Sequence, residues 1–249
     1  MIKHISVVMI VKNGERTIEK SLDSLLDFED IVVYDNGSTD STLSLVKKYD
    51  NVNLIQGDFA GFGETKKKAT AYAQHNWILN LDCDEVLDKE LIETLKAKKL
   101  DENYVYLLNF NTFYKNKQVR YCGWSGQKIK RIFNKKITNY NDDRVHEKII
   151  DGHLKNEEIK GNVLHYSYLS ISDFIQKTDM YSQIYAVDNA GRKKASPLKA
   201  VVRSLYFFIK NYIFKLGFLD GYVGLLVCYS GASGVFYKYL KLYEANKRL

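Results

Sequence analysis

The sequence predicts an α/β protein: a mostly parallel, Rossmann-like sheet with helices on both faces, followed by a helical C-terminal extension. Three observations predict it. Short, continuous apolar runs recur through the first eighty residues, as buried parallel strands require. Helix-periodic segments with short loops lie between them, the β-α-β rhythm of a doubly wound sheet. Two of the apolar runs end in aspartate, which puts carboxylates at the carboxyl edge of the sheet, where such sheets bind ligands.

In chain order, Ile5 to Val11 is the first run, broken by Asn13-Gly14. Ile18, Leu22, Leu25 and Leu26 then recur at helical spacing, with Glu15 in the first turn. Ile31 to Tyr34 is the second strand and runs into the turn cluster Asp35-Asn-Gly-Ser-Thr-Asp40. A helix carrying Leu43, Val46 and Tyr49 follows, then a third strand from Val52 to Ile55. Gly57, Gly61 and Gly63 mark a loop, and Glu64 to His75 is helical with Ala69, Tyr72 and Ala73 inward. The apolar strand Trp77 to Leu81 ends in Asp82-Cys-Asp84. Beyond it the pattern gives a surface helix from Asp88 to Lys98 and strands over Tyr104 to Tyr114 and Lys128 to Phe133. Asn134 to Asp151 is polar and loop-like and holds Asp142-Asp-Arg-Val-His-Glu147. A short strand spans Asn162 to Tyr166, and a helix spans Ser172 to Asn189. The single proline, Pro197, sits where a further helix opens.

At 249 residues the chain has room for one large domain and an appendage, and 45% hydrophobic content supports a sizeable core. The expected division is a catalytic-type domain over 1–170, with halves 1–100 and 101–170, and an extension over 171–249. A net charge of +7 points to an anionic partner. No basic run interleaves with stacking aromatics, so nucleic acid is disfavoured. Cys83, Cys122 and Cys228 lie far apart, without zinc or disulfide spacing, which fits a reducing compartment. The N-terminus runs straight into a strand, so no signal peptide is expected. Val201 to Phe218 sets Arg203, Lys210 and Lys215 among aromatic and aliphatic residues. Two readings of it stand side by side: a segment lying in the headgroup region of a membrane, or a helical pair packed on the main domain.

The acids carry the chemistry. Asp82 and Asp84 are hard oxygen ligands at a strand end, suited to Mg²⁺ or Mn²⁺ and hence to a diphosphate. Alone, such a pair is equally a turn or a cap. Asp35 ends another strand, where a carboxylate can accept from a ribose or a base N–H, or simply form a turn. Together the three aspartates converge on one crevice. The chain lacks Gly-x-Gly-x-x-Gly after its first strand and has no P-loop, which disfavours nicotinamide and ATP enzymes.

Ser6-Val-Val-Met-Ile-Val-Lys-Asn13, Val33-Tyr-Asp-Asn-Gly-Ser-Thr-Asp-Ser-Thr42, Gly61-Phe-Gly63 with Lys66, and Trp77-Ile-Leu-Asn-Leu-Asp-Cys-Asp-Glu85 resemble, in order and spacing, the inverting glycosyltransferases of family 2. The closest resemblance is to the lipopolysaccharide core β-glucosyltransferase subgroup, through Val145-His-Glu147 and His165-Tyr166. It covers roughly residues 5 to 170, and the tail loosely through Phe218-Leu-Asp-Gly221. It implies a GT-A fold, a nucleotide-sugar donor with UDP-linked favoured, and a divalent Mn²⁺ or Mg²⁺. It also implies that Asp35 holds the base or ribose, that Lys66 lies near the base or phosphates, that Asp82 contacts ribose or metal water, and that Asp84 ligates the ion. Cys83, where the subgroup usually has a small residue, is expected to point away.

An inverting transfer needs a base for the acceptor hydroxyl. Glu147 is the candidate, from its polar loop and its subgroup block; its plainer role is an ion pair with Arg144. Asp143 and His146 are the runners-up, and His146 is also a candidate acceptor or phosphate contact. His165 is either a third metal-site residue or a hydrogen-bonded structural one. Arg131 and Lys130 are candidate phosphate contacts or solvated strand cations. Trp124, in Gly123-Trp-Ser-Gly126, either stacks on a sugar or joins a core. The implied acceptor is a lipid-linked saccharide of the lipopolysaccharide or lipooligosaccharide core type, reached from the cytoplasmic leaflet by an enzyme peripheral on the inner membrane. Two other classes share parts of the pattern. A sugar-phosphate nucleotidyltransferase would need a glycine-rich loop where Lys12-Asn-Gly-Glu-Arg16 stands, and a non-catalytic nucleotide-sugar-binding membrane adaptor would be expected to lose the acids.

Overall fold

The computed structural model describes residues 1–141 and 147–247. Four parallel strands form its nucleotide-binding half: β1 (Ile2–Val11), β2 (Phe28–Asp35), β3 (Val52–Gln56) and β4 (Trp77–Asp82), in the order β3-β2-β1-β4. Side chains alternate across a pleated strand, and here both faces are apolar because both are covered. Val7, Met9, Ile31, Val33, Leu79 and Leu81 point to one face. They pack with Ile18 and Leu22 of α1 (Ile18–Asp23), Val46 of α2 (Thr42–Val46), and Leu91 and Leu95 of α4 (Lys89–Ala97). Val8, Ile10, Val32, Tyr34 and Ile78 point to the other face and meet Ala69 of α3 (Phe62–Ala71). Helices on both faces therefore follow from continuous apolar strands.

The sheet continues from β4 through antiparallel β8 (Gln127–Asn134) to β6 (Tyr104–Tyr114), then to β9 (Lys155–Tyr168) and β5 (Glu85–Leu87), with β7 (Lys117–Gln118) paired to β6. Only Cys83 and Asp84 separate β4 from β5, although the two strands stand far apart in the strand order. The three Cα steps from Asp82 to Glu85 span at most about 11 Å, so the sheet must curl until its last strand returns near β4. Several elements differ from expectation. β9 has 14 residues rather than the five from Asn162 to Tyr166, because its polar start is held by ion pairs of Glu157 with Lys98 and Glu158 with Lys128. β5 and β7 are too short to leave a periodic signal. α3 opens at Phe62 and stops at Ala71, ahead of the expected His75.

The chain divides into two compact units, Met1–Phe110 with Gly126–His165, and Asn111–Ser125 with Tyr166–Leu249. The second takes in 111–125 as well as the extension, an interleaving that the expected boundary after residue 170 does not contain. Within it, α5 (Ile171–Asn189) opens on a capping box between Ser170 and Asp173. α6 (Pro197–Ile209) opens on Ser196, whose hydroxyl accepts from Lys199 N, with Pro197 at its first turn. A π turn (Lys210–Phe214) and a 3₁₀ turn (Gly217–Asp220) lead to α7 (Tyr222–Lys247). Phe174, Val223, Val227, Cys122 and Cys228 form the core of this unit. Asp220 is buried and accepts from the Arg120 and Tyr121 amides. No helix among the described residues is long and apolar enough to cross a membrane.

Candidate active site

The site is built at the carboxyl ends of β1, β2 and β4. Register sets Asp35 opposite Val11 and Asp82 opposite Ile10, so the two acids flank the end of β1. Two strand spacings separate their backbones, about 9.6 Å. Asp35 is fully buried, and its carboxylate accepts from Gly37 N at 3.0 Å and Ser38 N at 3.0 Å. These two bonds are those of the turn. The turn is in turn tied to the loop after β1. Asn13, at a left-handed φ of 55°, accepts from Thr39 N at 2.8 Å and donates its own N–H to Ser38 Oγ at 2.9 Å. Gly14 N donates to Thr42 Oγ1 at 2.8 Å. The two strand-end loops thus form one fixed rim.

Asp82 is the hub. Lys66 Nζ lies 3.4 Å from its Oδ1, and Arg131 Nη2 lies 3.1 Å from its Oδ2. Lys66 also donates to Glu147 Oε1 at 2.7 Å. Arg131 continues inward, donating to Glu85 Oε1 at 2.5 Å and to Asn80 Oδ1 at 3.3 Å. Tyr140 Oη donates to the same Asn80 oxygen at 3.0 Å, and Glu85 Oε2 accepts from Asp82 N at 2.9 Å. Lys66, Arg131 and Glu85 are buried, so each charge depends on its partners. Burial pushes the Asp82 carboxyl up, but Lys66, Arg131 and His165 outweigh it and hold it well below the usual range. Burial drives Glu85 up to about 8 against the pull of Arg131. Burial would lower Lys66, yet Asp82 and, less strongly, Tyr140 and Glu147 hold it raised. Lys66, Asp82, Lys130, Arg131, Tyr140 and Glu147 line an open cleft of about 360 Å³.

On the other side of Asp82, the turn Cys83-Asp84 presents a second carboxylate. β5 pairs Glu85 directly with His165 of β9, which brings the imidazole Nε2 to 3.4 Å from Asp84 Oδ2. One donor atom each from Asp84, Glu85 and His165 lies within 4.8 Å of the others. Burial lowers His165, but its bond to Asp84 raises it further, so the net shift is upward. Glu85 is engaged with Arg131 and the Asp82 amide. The accessible donors are therefore one carboxylate and one imidazole, a set that fits Mn²⁺ or Mg²⁺ with the remaining positions left to water or phosphate oxygens. Cys83 points away from this face, packs on the apolar core and meets Gly14, as expected of it.

The structure brings Lys66, Asp82, Asp84, Arg131, Glu147 and His165 together. It corrects three expectations. The Arg131 guanidinium is engaged by Asp82, Glu85 and Asn80, so Arg131 positions carboxylates instead of standing free as an acceptor or phosphate contact; its Nε has no partner among the described residues. Lys130 pairs with Asp151. Trp124 belongs to the second unit, where it is half-buried, packs against that unit's core and stacks on Tyr168 at 5.5 Å and Phe174 at 6.3 Å, the core alternative of its two readings. Asp143, Arg144 and His146 lie outside the described residues. Glu147 has Lys66 as its partner. Three residues of the network escaped sequence reasoning. Asn80 had left a signal, a polar residue inside the apolar run Trp77 to Leu81 that must find a partner when buried. Glu85 follows Asp84 directly but reads as surface charge, and Tyr140 sits in a polar loop without any pattern.

Residues 6–155 match the family model described as glycosyl transferase family 2. An uncharacterized glycosyltransferase of Rickettsia typhi (strain ATCC VR-144 / Wilmington) is 28% identical over 98% of this chain and 88% of its own. The lipopolysaccharide core biosynthesis glycosyltransferase LpsC of Rhizobium meliloti (strain 1021) is 25% identical over 97% of this chain and 93% of its own. Among solved structures, that of S. aureus TarS 1–349 in complex with UDP-GlcNAc matches with a TM-score of 0.46 and 17% identity, over 98% of this chain and 89% of that one.

Proposed function

The chain belongs to glycosyl transferase family 2 and is a glycosyltransferase, and on that footing we propose that it transfers one hexose, with glucose favoured, from a nucleotide sugar to a lipid-linked saccharide of the lipopolysaccharide or lipooligosaccharide core type. Family membership sets aside the nucleotidyltransferase reading. The adaptor reading loses its ground because Asp82 and Asp84 are present and assembled with cations. The similarity to LpsC along nearly the whole chain supports the acceptor class. The observation that carries the reading is the Asp82 hub, with Lys66 and Glu147 on one side and Asp84 with His165 on the other.

In this reading the donor's diphosphate lies between the two sides of the hub. Lys66 offers its ammonium to the phosphates, and Asp82 orients the ribose or a nearby water. Arg131 and Glu85 keep the Asp82 carboxylate in place from beneath. Asp35 acts on the nucleoside side through the rim that it braces. Glu147 takes the acceptor hydroxyl proton as that oxygen attacks the anomeric carbon and the nucleoside diphosphate leaves. It becomes free to do so once Lys66 turns from it to the phosphates. A divalent ion held by Asp84 and His165 would neutralise the charge growing on the departing diphosphate. UDP is the favoured nucleotide by resemblance, and the site of action is the inner leaflet of the membrane that carries the acceptor.

The test is donor turnover across UDP-, GDP- and ADP-sugars with Mn²⁺, Mg²⁺ or EDTA, with and without a lipid-linked core saccharide. Turnover of one donor is expected, lost in EDTA and reduced by about a hundredfold or more in Asp84→Ala. Glu147→Gln is expected to lose transfer, by about a hundredfold or more, while it retains donor binding. Turnover indifferent to EDTA and to Asp84→Ala would sink the metal-diphosphate reading.

A further inference from the structure

The second unit carries an apolar face on α6 with a cationic edge. Only Ala200 of this helix is buried. At 3.6 residues per turn, Val201, Leu205, Leu198, Ile209, Val202 and Tyr206 fall within one sector of about 140°. These six side chains are 39% to 73% exposed. The opposite side turns inward, with Ser204 Oγ donating to Ala232 O of α7 at 2.8 Å. Lys199, Arg203 and Lys210 follow one edge of the sector, and Lys210 Nζ stands 5.8 Å from the Tyr206 ring centroid. The apolar character continues past the helix in exposed Ile213, Leu216, Phe218 and Leu219, and in Phe214, which is 77% exposed. Beside the sector, Val201, Leu205 and Phe208 face Tyr229, Ala232 and Phe236 across an apolar groove of about 380 Å³.

Charge selects what covers this face. Between residues 190 and 230 the cations Arg192, Lys193, Lys194, Lys199, Arg203, Lys210 and Lys215 meet a single acid, Asp220. Asp220 is buried on the Arg120 and Tyr121 amides. Two copies of so cationic a face repel each other. Aliphatic and aromatic residues bordered by lysine and arginine match the boundary between acyl chains and anionic headgroups. No described helix is long and apolar enough to cross a membrane, so the segment fits a position in the plane of the surface. We propose that α6 and residues 213–219 lie in the headgroup region of an anionic phospholipid leaflet, with the α6–α7 groove taking part of an acyl chain. This deepens the membrane-bound acceptor reading above and rests on it for purpose, while none of the residues that form the face belongs to the candidate active site.

The test is flotation of the full chain with vesicles of phosphatidylcholine alone, or with about one third phosphatidylglycerol. Binding to the anionic vesicles at least about tenfold tighter than to the neutral ones is expected, weakening as salt rises. Leu205→Glu with Ile209→Glu, and separately Arg203→Glu with Lys210→Glu, should each weaken vesicle binding by about tenfold or more. Neither pair should change turnover of a water-soluble donor. A Phe214→Trp variant gives a readout that leaves the face intact: its emission should shift to the blue on anionic vesicles and be quenched by brominated acyl chains. Equal binding by the parent and both charged pairs, or an emission spectrum of the Phe214→Trp variant that vesicles leave unmoved, would overturn the proposal. So would a dimer that the same substitutions dissolve, without vesicle binding. Vesicle binding without any donor turnover would count against the catalytic reading alone, and turnover without vesicle binding against the membrane face alone.

Discussion

Arg131 joins two acids that could not otherwise share the interior. Its guanidinium bridges Glu85, which is fully buried, and Asp82, which opens onto the cleft. Removing one partner of a buried ion network leaves the others uncompensated. Arg131→Met is therefore expected to lower stability by about 3–5 kcal/mol, read from urea unfolding. Adding Glu85→Gln replaces the buried carboxyl left without its cation, keeps an acceptor for the Asp82 amide, and should recover about 1–3 kcal/mol of that loss. Strict additivity would show that the two side chains do not act as a unit. The thiols give a second residue-scale expectation. Burial, then Asp84 and Asp82, push Cys83 up to about 12; burial is also the first cause raising Cys122 and Cys228. A raised pKa means little thiolate near neutrality. At pH 8 the folded chain should react with Ellman's reagent far more slowly than the chain in guanidinium, where all three thiols react. Rapid reaction of one thiol in the folded state would mean that its surroundings open readily.

Among the elements, β9 decides more than its polar sequence suggests. It carries His165 to Asp84 and presses against α4 at Gly161. Gly161 has φ of 109°, and a Cβ there would come within 2.3 Å of Leu91 N. Gly161→Ala is thus expected to combine backbone strain with a main-chain clash, lowering stability by about 2 kcal/mol or more in urea unfolding. Gly126→Ala, also at positive φ but with open space around it, should show the strain alone, about 1 kcal/mol. Equal effects at the two glycines would mean that the contact with α4 is slack. The cap of α6 is a milder case. Ser196→Ala removes the acceptor for Lys199 N and should lower stability by about 1 kcal/mol.

At the scale of the whole molecule, the curl of the sheet is what makes a site. The turn Cys83-Asp84 lets β5 return on the far edge strand, and β9 then delivers an imidazole beside two carboxylates. If Asp84 and His165 hold a divalent ion, Mn²⁺ should raise the thermal midpoint of the parent in proportion to saturation. It should do so in neither Asp84→Ala nor His165→Ala. An equal rise in all three would place the ion elsewhere. The α6 face belongs to the same scale: it should speed transfer to an acceptor embedded in vesicles and leave donor hydrolysis unchanged.

Much of this was legible in the residues themselves. Continuous apolar runs fixed the parallel strands, because strands covered on both faces have no solvent side to mark with polar residues. The ends of those runs placed Asp35, Asp82 and Asp84 at one edge, and Pro197 announced a helix start. What local pattern could not carry was pairing between distant segments. That His165 meets Asp84, that Lys66 meets Glu147, and that Arg131 turns inward to Glu85 all depend on the register of strands and on a loop more than seventy residues from α3. A side chain's charge is visible in sequence; its partner is not, because an ion pair is set by where the backbone folds back. Trp124 illustrates the same limit, since only the positions of Tyr168 and Phe174 turned a ring suited to a sugar into core. Sequence determined the class of sheet and the edge that carries the acids, while tertiary structure decided which acids are exposed, which cation holds each one, and which face of the extension is left apolar.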